Sequence, residues 1–531
     1  MVSKGTSIGD AVDPSIRERL TQLRQTLLQQ ANAAVKVQLT QPRAPWQGPA
    51  EGPAPHLTRS VPPVSSHELG ASRLSSTEIQ KPTSPATLTR SPSAIPRAGS
   101  RRHKAQPRTS PRPKQDAFRY WGLPPGAAVR EAPPRLVSAQ DRKAFEQLVA
   151  EGARTTSAGE GEDLFATIGL DFGTSSTKVI VRFPYENEVP TIAIPAPVHC
   201  CSSGHPYLWQ TVLWVDARGE FRAWPEPGAR PLDMLKQGVM NGRADPSIAC
   251  KLTGGEAIMA ADAAAAFLTF VIRYTRGWLL TNRPQLFRHR HPVWFVNVGL
   301  PAATYDGHDL VANYRRVAAA ALLLANFKGA VTADATRTFL AHGRVTLAGD
   351  SAADAESLGV AIVPETAAAV AGFAKSTNRA TGLYLMVDVG AMTLDACAFR
   401  LAERLSADDL YALLTAQVRP LGVEAYHWFL SEGRTEAGFV EQCSRCLHEV
   451  VWGTKKDRDP NAECWRKGNE LPVFLIGGGA DNDLHRCVVE DLHSWLRSHT
   501  QNEGIRLLVL PVPSNIDLPV PVSQFGRLAV A

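Results

Sequence analysis

Three short stretches combine carboxylates, hydroxyls and glycines in a way that suits phosphate and metal chemistry. The first is Asp171-Phe-Gly-Thr-Ser-Ser-Thr-Lys178. Phosphate oxygens need backbone N–H donors brought close, which Gly173 permits, and hydroxyls such as Thr174 and Ser175 to share the load. Lys178 stands where it either meets a phosphate or faces solvent. The second stretch, Asp388-Val-Gly-Ala-Met-Thr-Leu-Asp395, offers the same chemistry again through Gly390 and Thr393. Asp171 and Asp388 each close an apolar run. They are candidate anchors for a hydrated magnesium ion, which takes one or two carboxylates and completes its shell with water and phosphate. In the third stretch, Phe474-Leu-Ile-Gly-Gly-Gly-Ala480, residues Gly477, Gly478, Gly479 and Ala480 let backbone approach a flat ligand. Two such hairpins facing each other could clamp the β- and γ-phosphates of a ligand from both sides.

The elements that position these stretches read as an α/β fold, with strands alternating with helices from Leu164 onward. Phe165–Leu170 and Thr177–Arg182 are strands flanking the first turn, and Leu383–Val387 and Asp395–Phe399 flank the second. Val293–Val298 is a strand followed by an alanine-rich helix from Asp309 to Phe327, and Val473–Ile476 is a buried strand running into the glycines. Two strand–turn–strand units with polar glycine-containing turns suggest an internal duplication. The expected organisation is a helix region over 1–40, a linker over 41–120 and a connecting segment over 121–163. Two α/β halves follow, over 164–380 and 381–531.

The N-terminal third is different in kind. Asp13 and Pro14 start a helix whose Ile16, Leu20, Leu23, Leu27 and Ala31 form an apolar stripe, suited to docking on the body or on a partner. Residues 41–115 hold 14 of the 39 prolines, a composition that disfavours a packed core. Residues 1–120 carry 18 Lys/Arg against 7 Asp/Glu, while the rest carries 39 against 44. The basic cluster from Ser100 to Lys114 could meet an acidic surface or nucleic acid, with a solvated linker the plainer reading. Ser138 is an expected N-cap of a short helix leading into the core.

Taken together, the motifs resemble those of the superfamily of actin, sugar kinases and seventy-kilodalton heat-shock chaperones, over about residues 164 to 531. Asp171-Phe-Gly-Thr is similar to that superfamily's first phosphate motif, Asp388 to Asp395 to its second, and Gly477 to Ala480 to its adenosine motif. Val363-Pro-Glu-Thr-Ala-Ala-Ala369 resembles its first connecting helix, and Phe525 to Ala531 its closing helix. Val298-Gly-Leu-Pro-Ala-Ala stands where the chaperones have a strand ending in Val-Pro-Ala. The resemblance implies a duplicated actin-like ATPase core, Mg-ATP bound between the halves, and a hinge that responds to nucleotide. It implies that Asp171 and Asp388 act through the metal and that Glu365 orients the attacking water. Two departures stand inside the motifs. Ala391 and Met392 replace a glycine and a Gly or Thr, from which slow hydrolysis is expected. Pro364-Glu365 reverses the chaperone order, as in the plasmid-segregating actin relatives. With the chain ending at Ala531, the chaperones' β-rich peptide-binding domain is expected to be absent.

Composition narrows the rest. No apolar run approaches the roughly 20 residues a membrane span needs, and no secretory apolar region opens the chain, so a cytoplasmic protein is expected. Eight cysteines in 531 residues do not make a disulfide scaffold. Cys443 and Cys446, with His448, Cys464 and Cys487, read as structural rather than as a zinc site, for want of a second close pair. The function expected is a heat-shock-chaperone-like ATPase whose tail recruits a protein partner. A filament-forming actin relative, a nucleotide-binding pseudo-ATPase scaffold and a small-molecule kinase are the alternatives, the last disfavoured by the second turn.

Overall fold

The computed structural model describes residues 137–522, except 155–160, 203–204, 243, 246–256, 301–307, 343, 347–351, 355–358, 375, 377–378, 403–410 and 512–514. The expected helix at 14–35, the linker, the basic cluster and the closing helix at 525–531 lie outside the described residues.

Two sheets are built on one plan. In the first, β1 (Glu162–Phe172), β2 (Ser176–Arg182) and β3 (Thr191–Ala193) form an antiparallel meander. β4 (Arg290–Leu300) and β5 (Val360–Pro364) then add parallel on the other side of β1, giving the order β3-β2-β1-β4-β5. In the second, β6 (Gly382–Val389), β7 (Leu394–Leu401) and β8 (Tyr411–Arg419) form the meander. β9 (Leu471–Ile476) and β10 (Ile505–Leu508) add parallel beside β6, giving β8-β7-β6-β9-β10. Strand order and direction match one for one. This is the duplicated actin-like α/β core, and the expected strands are all present. The chain then returns, because β11 (Ile516–Asp517) pairs parallel with β3 in the first sheet. The segment expected to belong wholly to the second half therefore contributes a strand to the first.

Helices cover the sheets where alternation gives way to long apolar runs. Between β3 and β4 lie α2 (Leu235–Asn241) and the 23-residue α3 (Ala260–Asn282), buried almost from end to end. It crosses α4 (His308–Asn326), the expected alanine-rich helix, and alanine faces on both sides let the backbones approach: Thr269 Oγ1 donates to the carbonyl of Ala321 at 3.2 Å. The buried Arg273 guanidinium donates to the carbonyls of Leu324 and Ala325, satisfying the last turn of α4.

α1 (Ala139–Arg154) starts where Ser138 accepts from the Asp141 N–H at 3.1 Å, as expected of an N-cap. It packs on α3 through glycine: a Cβ on Gly152 would lie 1.8 Å from the Arg273 carbonyl oxygen, and one on Gly277 1.9 Å from that of Leu148. Its Phe145 enters an aromatic nest of Trp209, Trp224 and Tyr274. The second half has its own core, in which β6, β7 and β9 pack against α7 (Glu436–Gly453) and α8 (Asp483–His499). Cys443, Cys446 and Cys464 are buried in that packing. α5 (Glu365–Ala374) follows β5 directly, and its Val370 and Phe373 pack on β6, β7 and β9. α6 (Val423–Ser431) follows β8. Among the described residues no helix is long and apolar enough to cross a membrane.

Candidate functional site

Each sheet ends its first hairpin at the same place. In the β1–β2 hairpin Asp171 stands directly opposite Lys178, and in the β6–β7 hairpin Asp388 stands opposite Asp395. Both pairs are seven residues apart across a tight polar turn, so the duplication reaches the side chains. The two turns, with the glycine turn after β9 and the start of α6, line one cleft of about 330 Å³. Of the sequence-derived residues it brings together Asp171, Gly173, Thr174, Ser175, Lys178, Glu365, Asp388, Gly390, Thr393, Gly477, Gly478 and Gly479. Ala480 does not line it. Its N–H donates to the Gly477 carbonyl at 3.3 Å, closing the turn from behind.

The glycine turn is shaped by Asp388. Gly477 has φ of 90°, and a Cβ there would lie 2.1 Å from the Asp388 carboxylate oxygen. Any larger residue would push the carboxylate aside and strain the backbone. The β6–β7 turn is held from its outer side by the N–H groups at the N-terminus of α6 and its cap. Gly422, Val423 and Glu424 donate to the carbonyls of Met392, Gly390 and Ala391 at 3.1, 3.1 and 2.7 Å. Among the described non-glycine residues only Met234 and His289 have positive φ. Ala391 therefore adopts an ordinary backbone, and the turn does not require a glycine's positive φ there.

Electrostatics set this cleft apart. Five carboxylates, Asp171, Glu365, Asp388, Asp395 and Glu424, share it with two ammonium groups, Lys178 and Lys236. Lys178 is ion-paired with Asp171, which resolves the alternative of a solvent-facing lysine. Lys236 Nζ donates to Glu365 Oε1 at 2.6 Å, with both side chains buried. Burial alone would lower both lysines, but the carboxylates around them hold each above its ordinary value. Burial raises Glu365 against the pull of Lys236. Asp388 is pushed up to about 7 by burial, with Glu365 and Asp171 adding to it against the nearby lysines. Asp395 is raised well above its ordinary value, by burial and by Asp388 facing it, and its Oδ1 is buried with no hydrogen-bond partner.

That imbalance fits a cation. Among the described residues no cluster of three or more His, Cys, Asp or Glu side chains forms a ready-made metal cage. A divalent ion would be held instead by one or two carboxylates, with phosphate and water completing its shell, which is how magnesium prefers to bind. The orphaned Asp395 oxygen and the elevated Asp388 are the groups such an ion would relieve.

Sequence reasoning missed Lys236, which sits in no glycine or carboxylate motif. It reaches the cleft from α2, which packs on the first-half core through Leu235 and Val239 and against Tyr314, whose hydroxyl donates to the Lys236 carbonyl at 3.2 Å. Asp395 was visible as the end of its motif but not as a site residue. The shared seven-residue spacing, which makes it the counterpart of Lys178, was the signal. Ser202, Leu208, Val423 and Glu424 complete the lining without any sequence mark.

No family model matches the chain, and no curated protein matches it. Among solved structures, the crystal structure of MreB5 of Spiroplasma citri bound to ADP is similar over 69% of this chain and 93% of that one, at 10% identity and a TM-score of 0.32. The duplicated α/β core rests on the matched strand order of the two sheets rather than on that likeness.

Proposed function

We propose that this chain binds Mg-ATP in the cleft and acts as an ATPase of the heat-shock-chaperone kind, changing conformation with nucleotide state. The observation that carries this reading is the pair of equivalent hairpins lining one cleft, beside a glycine turn open at Gly478. Backbone N–H groups and hydroxyls of Gly173 to Ser175 and Gly390 to Thr393 receive the phosphates, and Gly477 to Gly479 the adenosine. Asp171 and Asp388 hold the magnesium ion, which when bound neutralises phosphate charge. Lys236 adds a buried positive charge to the same cleft. Asp388→Ala is expected to abolish the thermal stabilisation that Mg-ATP gives the wild type, since a ligand bound only by the folded state raises its stability. Absence of any shift in the wild type at saturating Mg-ATP would refute the reading.

Hydrolysis is expected to be slow, for a reason other than the one the motif suggested. Glu365, the candidate for orienting the attacking water, is engaged by Lys236. The same contact favours a second reading, a nucleotide-binding scaffold without turnover. Single-turnover hydrolysis distinguishes the two: slow cleavage that Glu365→Gln abolishes supports the ATPase, and no cleavage in the wild type supports the scaffold. In either reading the chain works in the cytoplasm, and the N-terminal stripe and basic cluster recruit a protein partner.

A further inference from the structure

A small apolar cluster joins the two halves beside the cleft. Met392, in the second phosphate turn, is 3% exposed and packs with Ala425 and Trp428 of α6 and with Met234 from the first half. One side of Met392 lines the cleft, and the other belongs to this cluster.

Met234 is unusual in its own right. It begins α2 with φ of 53° and ψ of 32°, a left-handed conformation that a side-chain-bearing residue adopts at a cost, and its side chain supplies no capping hydrogen bond. Such strain persists where surrounding contacts over-determine it. Two residues further along, Lys236 reaches Glu365. From the first half α2 is held by Leu235 and Val239, buried in the core, by Tyr314, and by Asn313, whose side-chain amide donates to the Val239 carbonyl at 3.4 Å. The helix that carries Lys236 thus starts on a residue resting against the second half. The main chain of Met392 is in turn gripped by α6 through the Gly422 N–H. Methionine suits this position, being unbranched and able to fill an irregular gap between two surfaces.

We propose that Met234, Met392 and Trp428 form a clasp that joins the halves and sets where Lys236 stands in the cleft. Met234 and Met392 are then positioning residues for the phosphate end of the nucleotide, acting through α2. The positioning role rests on the reading of the cleft as a nucleotide site. Opening the cleft pulls Met234 away from Met392 and exposes apolar surface, so the clasp favours the closed form and retards nucleotide release.

Trp428 reports on the clasp directly. Its emission is obtained in the full chain as the difference between each protein and its Trp428→Phe counterpart. Without nucleotide, Met234→Ala and Met392→Thr are each expected to move that emission to longer wavelength, and Met392→Leu to leave it in place. With Mg-nucleotide, the first two variants should release ATP roughly tenfold faster, as interface changes act mainly on dissociation. They should also lose part of the discrimination between ATP and ADP, which a merely structural role would not touch. Unchanged Trp428 emission in both Met234→Ala and Met392→Thr would overturn the clasp whether or not nucleotide binds. Shifted emission with an unchanged ATP-to-ADP affinity ratio would overturn the positioning role. A wild type that shows the clasp signal but binds no Mg-ATP would sink the nucleotide reading and the positioning role, and leave the clasp standing.

Discussion

Asp388 and Lys236 carry the sharpest residue-level consequences. The carboxyl of Asp388 rises from an ordinary 3.8 to about 7 in the folded chain. Between those values the folded state holds a proton that the unfolded state has released, so stability falls as pH rises from about 4 to 7. Asp388→Asn should flatten that part of the pH–stability curve in the ligand-free protein, measured by denaturant titration. An unchanged slope would mean Asp388 ionises normally. Lys236→Ala leaves Glu365 buried without its partner and should cost about 3 kcal/mol, the usual penalty for breaking a buried pair from one side. Lys236→Met combined with Glu365→Gln should recover much of that loss, and strictly additive losses would show that the two side chains do not interact. Asp171, Asp388 and the glycines were legible in the sequence because a strand end and a tight turn are local events. Lys236 was not, since its place depends on how α2 packs under α4, a contact between residues 78 positions apart.

Among the elements, α1 shows how far the first half extends upstream of its sheet. The aromatic nest around Phe145 and the contact of Gly152 with Gly277's helix make α1 part of the core rather than a tether. A methyl group at Gly152 has no room against the Arg273 carbonyl, so Gly152→Ala should force α1 away from α3. Overpacking of this kind costs about 1–3 kcal/mol, read as a lower midpoint in chemical denaturation, and an unchanged midpoint would show that α1 is not held there. Deleting residues 1–120, by contrast, should leave the midpoint of unfolding unchanged, and a loss of stability would mean that segment contributes to the fold. The strands flanking both turns could be read from apolar runs bounded by polar glycine turns. The return of β11 to the first sheet could not, because a two-residue strand has no periodicity to detect and its partner, β3, lies more than 300 residues upstream.

For the whole molecule, the central claim is that two copies of one plan meet at a single nucleotide cleft. The matched order of the two sheets and the matched seven-residue hairpins carry that claim, and the excess of buried carboxylate suits a cation in the cleft. Met392, which looked like a departure inside a phosphate motif, instead ties the copies together. Hydrogen–deuterium exchange of the full chain, with and without Mg-ATP, tests the claim most directly. Protection is predicted at 171–178, 388–395 and 476–480 together, drawn from both halves by one ligand. Protection confined to one half, or none at any of the three turns, would contradict it.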